Sequence, residues 1–171
     1  TVNIVIILGV ISNLILVYFY EKNILSNRAS FSFLLIDIFQ LSLILYFSGG
    51  IINPFSIFLI IPSVFSSSNL SFKTSLSLIL ITIFSIILLT LFHKHLIYPS
   101  GKRLIINDFY HYGTSISLII ALIFLNYFAI LFGRESNLRK EALNKIEEFI
   151  AKEHELVSLG GQAAAAAHSL N

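Results

Sequence analysis

The 171-residue chain contains no cysteine, no methionine and no tryptophan, and it has few charged residues. The absence of cysteine excludes disulfides, thiolate metal sites and thiol nucleophiles from these residues. Since methionine is missing even at position 1, we expect a piece whose beginning lies upstream. Thr1 leads directly into apolar residues with no basic segment before them, which does not fit a signal peptide. The net charge of +2 is small and scattered, which argues against nucleic-acid binding.

Low charge and long apolar runs indicate a membrane protein. Only 12% of the residues are charged, 56% are hydrophobic and the mean hydropathy is +0.87. Soluble domains carry about a quarter charged residues. Apolar runs of roughly 18 residues or more with few charges are typical of helices that cross a bilayer. The runs here do not alternate with period two, as strands of a membrane barrel would. The sequence therefore predicts an all-α membrane protein.

Five apolar runs are predicted to be transmembrane helices, and no internal repeat relates them. They cover residues 2–20, 31–48, 54 to about 68, 74–92 and 113–132. The third run starts at Pro54, which suits the first turn of a helix because proline has no N–H to satisfy there. Residues 1–132 would then form a transmembrane domain, with a mixed loop over 93–112.

The distribution of basic residues predicts the orientation of these spans. Lysine and arginine are enriched in cytoplasmic loops. One side of the predicted topology holds Lys22, Arg28, Lys73, Arg134, Arg139, Lys140 and Lys145. The other side holds Lys94, Lys102 and Arg103. We therefore expect the C-terminal segment in the cytoplasm and the 49–55 turn on the outer side.

The segment after Gly133 is charged and rich in helix formers. Apolar residues recur at spacings of three, four and seven at Leu143, Ile146, Ile150 and Val157. Such a seam favours pairing with another helix, often a second copy, which predicts a homodimer. The alternative is a solvated helix that lies against its own protein. We expect a cytoplasmic linker helix over 133–158, followed by a distinct segment over 159–171.

Two short motifs carry the functional argument. The first is a turn, Gly49-Gly50-x-x-Asn53-Pro54-Phe55. The glycines permit positive φ and close approach of a ligand. The Asn53 amide could donate a hydrogen bond to a ligand carbonyl, and Phe55 offers a stacking face. Tyr46 could complete an apolar wall. The alternative is an interhelical turn in which Asn53 caps the helix that starts at Pro54.

The second motif is Leu159-Gly160-Gly161-Gln162 followed by five alanines, 163–167, and His168. An alanine tract forms a stable helix and leaves the imidazole on a smooth face. Such a face lets another protein approach closely, as in-line phosphoryl transfer requires. The alternative is an ordinary histidine near a chain end.

Polar residues elsewhere admit both functional and structural interpretations. Asp37 and Gln40 share one face of a span and could line a quinone or proton site, or could join helices by hydrogen bonds. The outer loop contains His93, His95, His111 and Asp108. Their spacing is loose for metal ligands, so we expect no metal site.

Together the two motifs resemble RegB-type (PrrB-like) redox-responsive sensor histidine kinases. In that family a Gly-Gly-x-x-Asn-Pro-Phe turn between two spans is implicated in sensing ubiquinone. An alanine-rich helix then carries the phosphoacceptor histidine. The resemblance extends to Asp37, Gln40, Leu41, Leu45 and Tyr46 before the turn, and covers nearly the whole chain.

The resemblance implies a bacterial inner (plasma) membrane protein that signals through a two-component system. It implies a ubiquinone site formed by Gly49, Gly50, Asn53, Pro54, Phe55 and Tyr46. His168 would be the phosphoacceptor in a dimerisation hairpin that begins at 159. Partners would be a second copy, the lipid bilayer and a response regulator. Family members have six spans, so this chain would begin at the second.

ATP and Mg²⁺ would act only through a kinase domain, because these residues include no nucleotide-binding motif. The family pattern places an acid directly after the histidine, whereas this chain has Ser169. A positioned carboxylate base contributes typically about 10²–10⁴-fold, and serine cannot replace it at neutral pH. The remaining alternatives are a non-catalytic kinase remnant, and a small multispan transporter or channel subunit with a charged helical tail.

Overall fold

A computed structural model describes residues 6–7, 9–11, 14, 26–94 and 107–169, except the side chains of 163–164 and 166–169. The described part is helical and contains no strand, which confirms the all-α prediction. Its helices are α1 (Asn27–Phe47), α2 (Ile60–Asn69), α3 (Phe72–Leu91) and α4 (Asp108–Ser169). Two 3₁₀ segments, Gly50–Ile52 and Pro54–Leu59, connect α1 to α2. The described residues before Ser26 are also helical.

Three described helices are long and apolar enough to cross a membrane: α1, α3 and the apolar part of α4. The apolar helix Pro54–Asn69 is shorter. The first predicted span, residues 2–20, lies largely outside the described residues, so the count of five stays a prediction.

Polar caps set the starts of α1 and α4, which begin earlier than their apolar runs. The Ser26 hydroxyl accepts a hydrogen bond from the Ala29 amide at 3.3 Å, so α1 starts at Asn27 rather than at the predicted Phe31. The Asn107 side chain accepts from the Phe109 amide at 3.0 Å and starts α4 at Asp108, inside the predicted loop. Such side chains satisfy amide groups that have no partner within the helix.

The chain divides into two compact units, Thr1–Leu131 and Phe132–Asn171. In the first unit, many large apolar side chains are exposed, and several small polar side chains are buried beside an apolar core. The most exposed large side chains include Phe39, Phe84 and Ile120. Several polar side chains are buried: Ser56, Ser63, Ser66, Ser67, Ser75, Thr82, Ser115 and Asn126. Small polar residues between helices with apolar residues outside are typical of membrane-embedded bundles.

A buried hydrogen-bond network joins α2 to α4. The Ser67 hydroxyl donates to Asn126 Oδ1 at 2.6 Å, and Asn126 Nδ2 donates to the Ser63 hydroxyl at 3.1 Å. Asn126 Nδ2 also donates to the Leu122 carbonyl, at 2.8 Å. Asn126, a polar residue within the fifth predicted span, therefore joins two helices by hydrogen bonds.

Helices α1 and α3 run in the same direction. Their first turns, around Arg28 and Lys73, line one pocket. At the opposite end, the Lys94 amide just after α3 donates to the Tyr46 carbonyl at 2.9 Å. The Gly-Gly turn and the end of α3 therefore lie at one end of the first unit, and the starts of α1 and α3 lie at the other.

Candidate functional site

The turn after α1 is built on two glycines in the left-handed region. Gly49 has φ of 104° and Gly50 has φ of 66°, and they are the only described residues with positive φ. Residues with a Cβ are strained in this region, whereas glycine adopts it readily. Both glycines are buried, so the turn lies within the packed end of the first unit.

Asn53 closes this turn with three hydrogen bonds. Its Nδ2 donates to the carbonyl oxygen of Ser48 at 2.9 Å and to the Ser48 hydroxyl at 2.8 Å. Its Oδ1 accepts from the Phe55 amide at 2.9 Å and caps the segment that starts at Pro54. The structure thus shows the asparagine cap that the sequence allowed. The amide group is already engaged, so a ligand carbonyl would have to compete with Ser48 for its protons.

The residues after α3 pack beneath the turn, a contact that the sequence analysis missed. A Cβ atom added to Gly50 would lie 2.5 Å from the His93 Cβ and 3.0 Å from the Leu89 carbonyl oxygen. The Lys94 Nζ lies 4.9 Å from the centroid of the Phe47 ring, within range of a cation–π interaction. The signal in the sequence was the basic pair His93-Lys94 at the end of a span, because this end and the turn were both predicted to lie on the same side of the membrane.

His111 connects this end of α3 to α4. Its Nε2 lies 2.7 Å from the Thr90 carbonyl oxygen, and its ring centroid lies 5.1 Å from that of His93. One helical turn further along α4, the Ser115 hydroxyl lies 2.7 Å from the Thr90 hydroxyl. Within the described ranges no group of three or more histidine or acidic side chains could hold a metal ion, and His95 lies outside those ranges.

An apolar groove of about 440 Å³ runs between α1 and α3. Tyr46 lines it together with Ser42, Phe39, Phe84, Leu88 and Phe92, among others. Tyr46 is half-buried, and its hydroxyl makes no hydrogen bond among the described residues. Of the six predicted quinone-site residues, only Tyr46 lines this groove; Pro54 and Phe55 are exposed on the 3₁₀ segment that follows the turn.

The intramembrane pair Asp37 and Gln40 lies on α1. The Gln40 side chain occupies space that Gly9 leaves open, because a Cβ atom at Gly9 would overlap its amide group. Asp37 is half-buried and forms no hydrogen bond or ion pair with the described residues. Gln40 therefore packs against the first described helical residues, while a function for the pair stays a prediction.

The predicted phosphoacceptor, His168, lies in the last described turn of α4. The structure describes its helical backbone and not its side chain. Gly160 and Gly161 lie within the same helix, and apart from neighbouring residues of that helix no described atom lies within 4 Å of where their Cβ atoms would be.

The chain is similar to the sensor histidine kinase RegB of Cereibacter sphaeroides. The two sequences are 30% identical over 163 residues, which are 95% of this chain and 35% of the relative. The chain therefore spans about a third of the length of the relative that it matches. No family model matches it, and no solved structure matches it. The similarity to RegB supports a relationship to sensor kinases across nearly the whole chain.

Proposed function

We propose that this chain is the membrane sensor region and the start of the phosphoacceptor helix of a two-component histidine kinase that responds to quinone redox state. The observation that carries the proposal is the similarity to a sensor kinase over 95% of the chain. The membrane-type distribution of polarity in the first unit supports it. So does the Gly-Gly-x-x-Asn-Pro-Phe turn, which is packed against the end of α3.

The groove between α1 and α3 supports a position for the quinone. A quinone joins a small ring that carries two carbonyl oxygens to a long apolar tail. The groove offers apolar walls for such a tail, and Tyr46 lines it near the end of α1. In this proposal the Tyr46 hydroxyl donates to a quinone carbonyl, because a phenol can act as donor or acceptor.

The turn residues shape this site rather than contact the ring. Asn53 is engaged with Ser48, and Gly50 admits His93. Both contacts fix the backbone that follows Tyr46. In this proposal Gly49, Gly50, Asn53 and Pro54 position Tyr46, and Phe55 covers the exposed side of the turn.

The contacts of His93 and His111 provide a route for a signal. The turn touches His93, His93 stacks near His111, and His111 is bound to Thr90 near the start of α4. The same helix contains His168. A change of packing at the turn would then shift the position of α4. Coupling between two sites requires contacts of this kind, which differ between the two states of the protein.

The chemistry proposed for His168 is transfer of the ATP γ-phosphate to an imidazole nitrogen. The phosphate would then pass to an aspartate of a response regulator. A second copy of the chain would pair through the exposed apolar stripe of α4. Ser169 lacks the carboxylate that could accept the imidazole proton, so we expect slow autophosphorylation.

A chimera tests this proposal directly. In the chimera, this chain replaces the matched segment of the Cereibacter sphaeroides kinase, and the rest of that kinase supplies ATP binding. The chimera is placed in lipid vesicles with labelled ATP. We expect acid-labile, base-stable label that His168→Gln abolishes, and a label that changes between oxidised and reduced ubiquinone. We expect Ser169→Glu to raise the labelling rate.

The controls separate the parts of the proposal. Tyr46→Phe keeps the ring and removes the hydroxyl, so it should lower the quinone effect and leave labelling intact. Label that persists in His168→Gln would exclude His168 as the phosphoacceptor. If the labelling did not change with quinone redox state in any variant, the chain would be a kinase segment that does not sense quinone. A folded, ATP-binding chimera that stays unlabelled even with Ser169→Glu would overturn the kinase assignment.

A further inference from the structure

A second pocket lies at the end of the first unit opposite the Gly-Gly turn. It has a volume of about 360 Å³ and lies between the first turns of α1 and α3. Its walls include Asn27, Arg28, Phe31, Lys73 and Thr74. The two cationic side chains belong to different helices, so the pocket exists only because α1 and α3 begin side by side.

The positive charge of this pocket is not neutralised by the described residues. Both ion pairs of the described ranges lie in the second unit, Glu135–Arg139 and Glu148–Lys152. Arg28 and Lys73 take part in neither, and both are exposed. No acidic side chain lines the pocket.

The two helix starts add partial positive charge. The first amide groups of any helix lack acceptors within the helix, and the helix dipole is positive at this end. At α3 the Ser71 hydroxyl lies 2.8 Å from the Thr74 hydroxyl and makes no capping hydrogen bond with an amide. The first amides of α3 are therefore uncapped by a side chain.

The hydroxyl groups of the pocket are less available to a ligand than its charged groups. The Ser32 hydroxyl donates to the Arg28 carbonyl at 3.1 Å, and the Ser77 hydroxyl donates to the Lys73 carbonyl at 3.0 Å. Both are thus engaged with their own helices. The groups that remain for a ligand are the guanidinium of Arg28, the ammonium of Lys73 and the amide of Asn27, which forms no hydrogen bond among the described residues.

We propose that this pocket binds the phosphate of an anionic glycerophospholipid headgroup. The ends of membrane-spanning helices lie at headgroup depth, and basic pockets between such helices bind anionic lipid headgroups. Arginine can hold a phosphate through two parallel hydrogen bonds, and lysine adds a compact point charge. Phe31 lies one turn further along α1 and gives the acyl chains an apolar surface. The site is independent of the kinase and quinone proposals.

Topology alone would explain basic residues at this end without any specific lipid, since cytoplasmic loops are rich in lysine and arginine. The two explanations differ in what they predict for position. A basic residue that only orients the helices does so from any position on that side of the membrane. Lipid binding in the pocket requires the charges to be at Arg28 and Lys73.

Native mass spectrometry of the full chain in detergent tests the proposal, with added phosphatidylglycerol or phosphatidylcholine. We expect saturable binding of phosphatidylglycerol in preference to phosphatidylcholine. Arg28→Gln and Lys73→Gln should each weaken it about fivefold, and the double variant about 25-fold, if each basic residue contributes as it does near an anionic surface. The matched control is Arg134→Gln/Lys140→Gln, which removes the same charge from exposed residues outside the pocket and should leave binding unchanged.

Thermal unfolding in the same detergent establishes that each variant is folded. Equal weakening by the pocket and control variants would overturn the proposal in favour of non-specific charge. Equal affinity of the wild-type chain for both lipids would also overturn it. Inorganic phosphate that displaces phosphatidylglycerol at matched concentration would show a site for free phosphate rather than for a headgroup.

Discussion

The side-chain amide of Asn53 donates to both oxygen atoms of Ser48, at 2.9 Å to the carbonyl and 2.8 Å to the hydroxyl. These bonds close the turn that follows α1. The Asn53 oxygen caps the next segment at the same time. One side chain therefore sets both the end of one helix and the start of the next segment.

Replacement of Asn53 by alanine should destabilise the turn more than replacement of its partner. Asn53→Ala removes three hydrogen bonds, whereas Ser48→Ala removes two, the one that its hydroxyl accepts from Asn53 and the one that it donates to the Ile44 carbonyl at 2.8 Å, and leaves the Ser48 carbonyl. At about 0.5–1.5 kcal/mol for each bond, we expect a loss of roughly 1.5–4.5 kcal/mol for Asn53→Ala and about two thirds of that for Ser48→Ala. Thermal unfolding in detergent micelles, followed by circular dichroism, shows which variant loses more stability. Equal losses would mean that the Asn53 bonds to backbone atoms contribute little.

Gly50→Ala should destabilise the same turn through both backbone and packing. The φ of 66° is strained for alanine, at about 1–3 kcal/mol, and the new Cβ would lie 2.5 Å from the His93 Cβ. We expect a lower Tm and a reduced quinone response in the kinase chimera.

Two variants serve as controls for Gly50→Ala. Gly113→Ala places a Cβ in open space within α4, and should raise stability by up to about 1 kcal/mol because alanine favours helix. Adding His93→Gly to Gly50→Ala removes the contact with His93 and leaves the backbone strain and the 3.0 Å contact with the Leu89 carbonyl oxygen, so it should restore part of the loss. A Gly50→Ala variant as stable as the wild type would contradict the turn geometry.

Asn126→Ala should loosen the packing of α2 against α4. It removes the hydrogen bonds to Ser67 and Ser63 and leaves their hydroxyls in a buried site. Interhelical hydrogen bonds in membranes average about 0.6 kcal/mol, with a maximum near 1.7. We therefore expect a loss of about 1–3 kcal/mol, measured by thermal unfolding. Ser117→Ala is the control, since it removes only an exposed bond within α4. A similar loss for both variants would show that the buried network adds nothing specific.

The apolar stripe of the second unit should bring two copies together. Leu143, Ile146 and Ile150 are exposed on α4. The chain has no cysteine, so single cysteine variants report contacts without background. Ile146→Cys in vesicles should form an intermolecular disulfide under mild oxidation. Glu141→Cys, on the opposite face of the helix, should form it much more slowly. Comparable rates for the two would argue for random collision instead of a paired stripe.

The class of the protein follows from residue types alone. Burial of long apolar runs is favourable in a bilayer whatever their partners, so helical spans can be predicted without tertiary information. The starts of α1 and α4 were predicted less well, because Ser26 and Asn107 cap them outside the apolar runs. For the candidate site, the two glycines and Asn53 were identified from their turn chemistry.

The sequence by itself determined that this chain forms apolar helices with a Gly-Gly turn and a charged helical segment, because each of these depends on local residue preferences. Only the tertiary structure decided that His93 lies beneath Gly50 and that Tyr46, not Asn53, lines the groove. It also placed Arg28 beside Lys73 in one pocket. The residues of two of these contacts, Gly50 with His93 and Arg28 with Lys73, are more than 40 positions apart in sequence. They meet only because α1 and α3 pack side by side in the same direction.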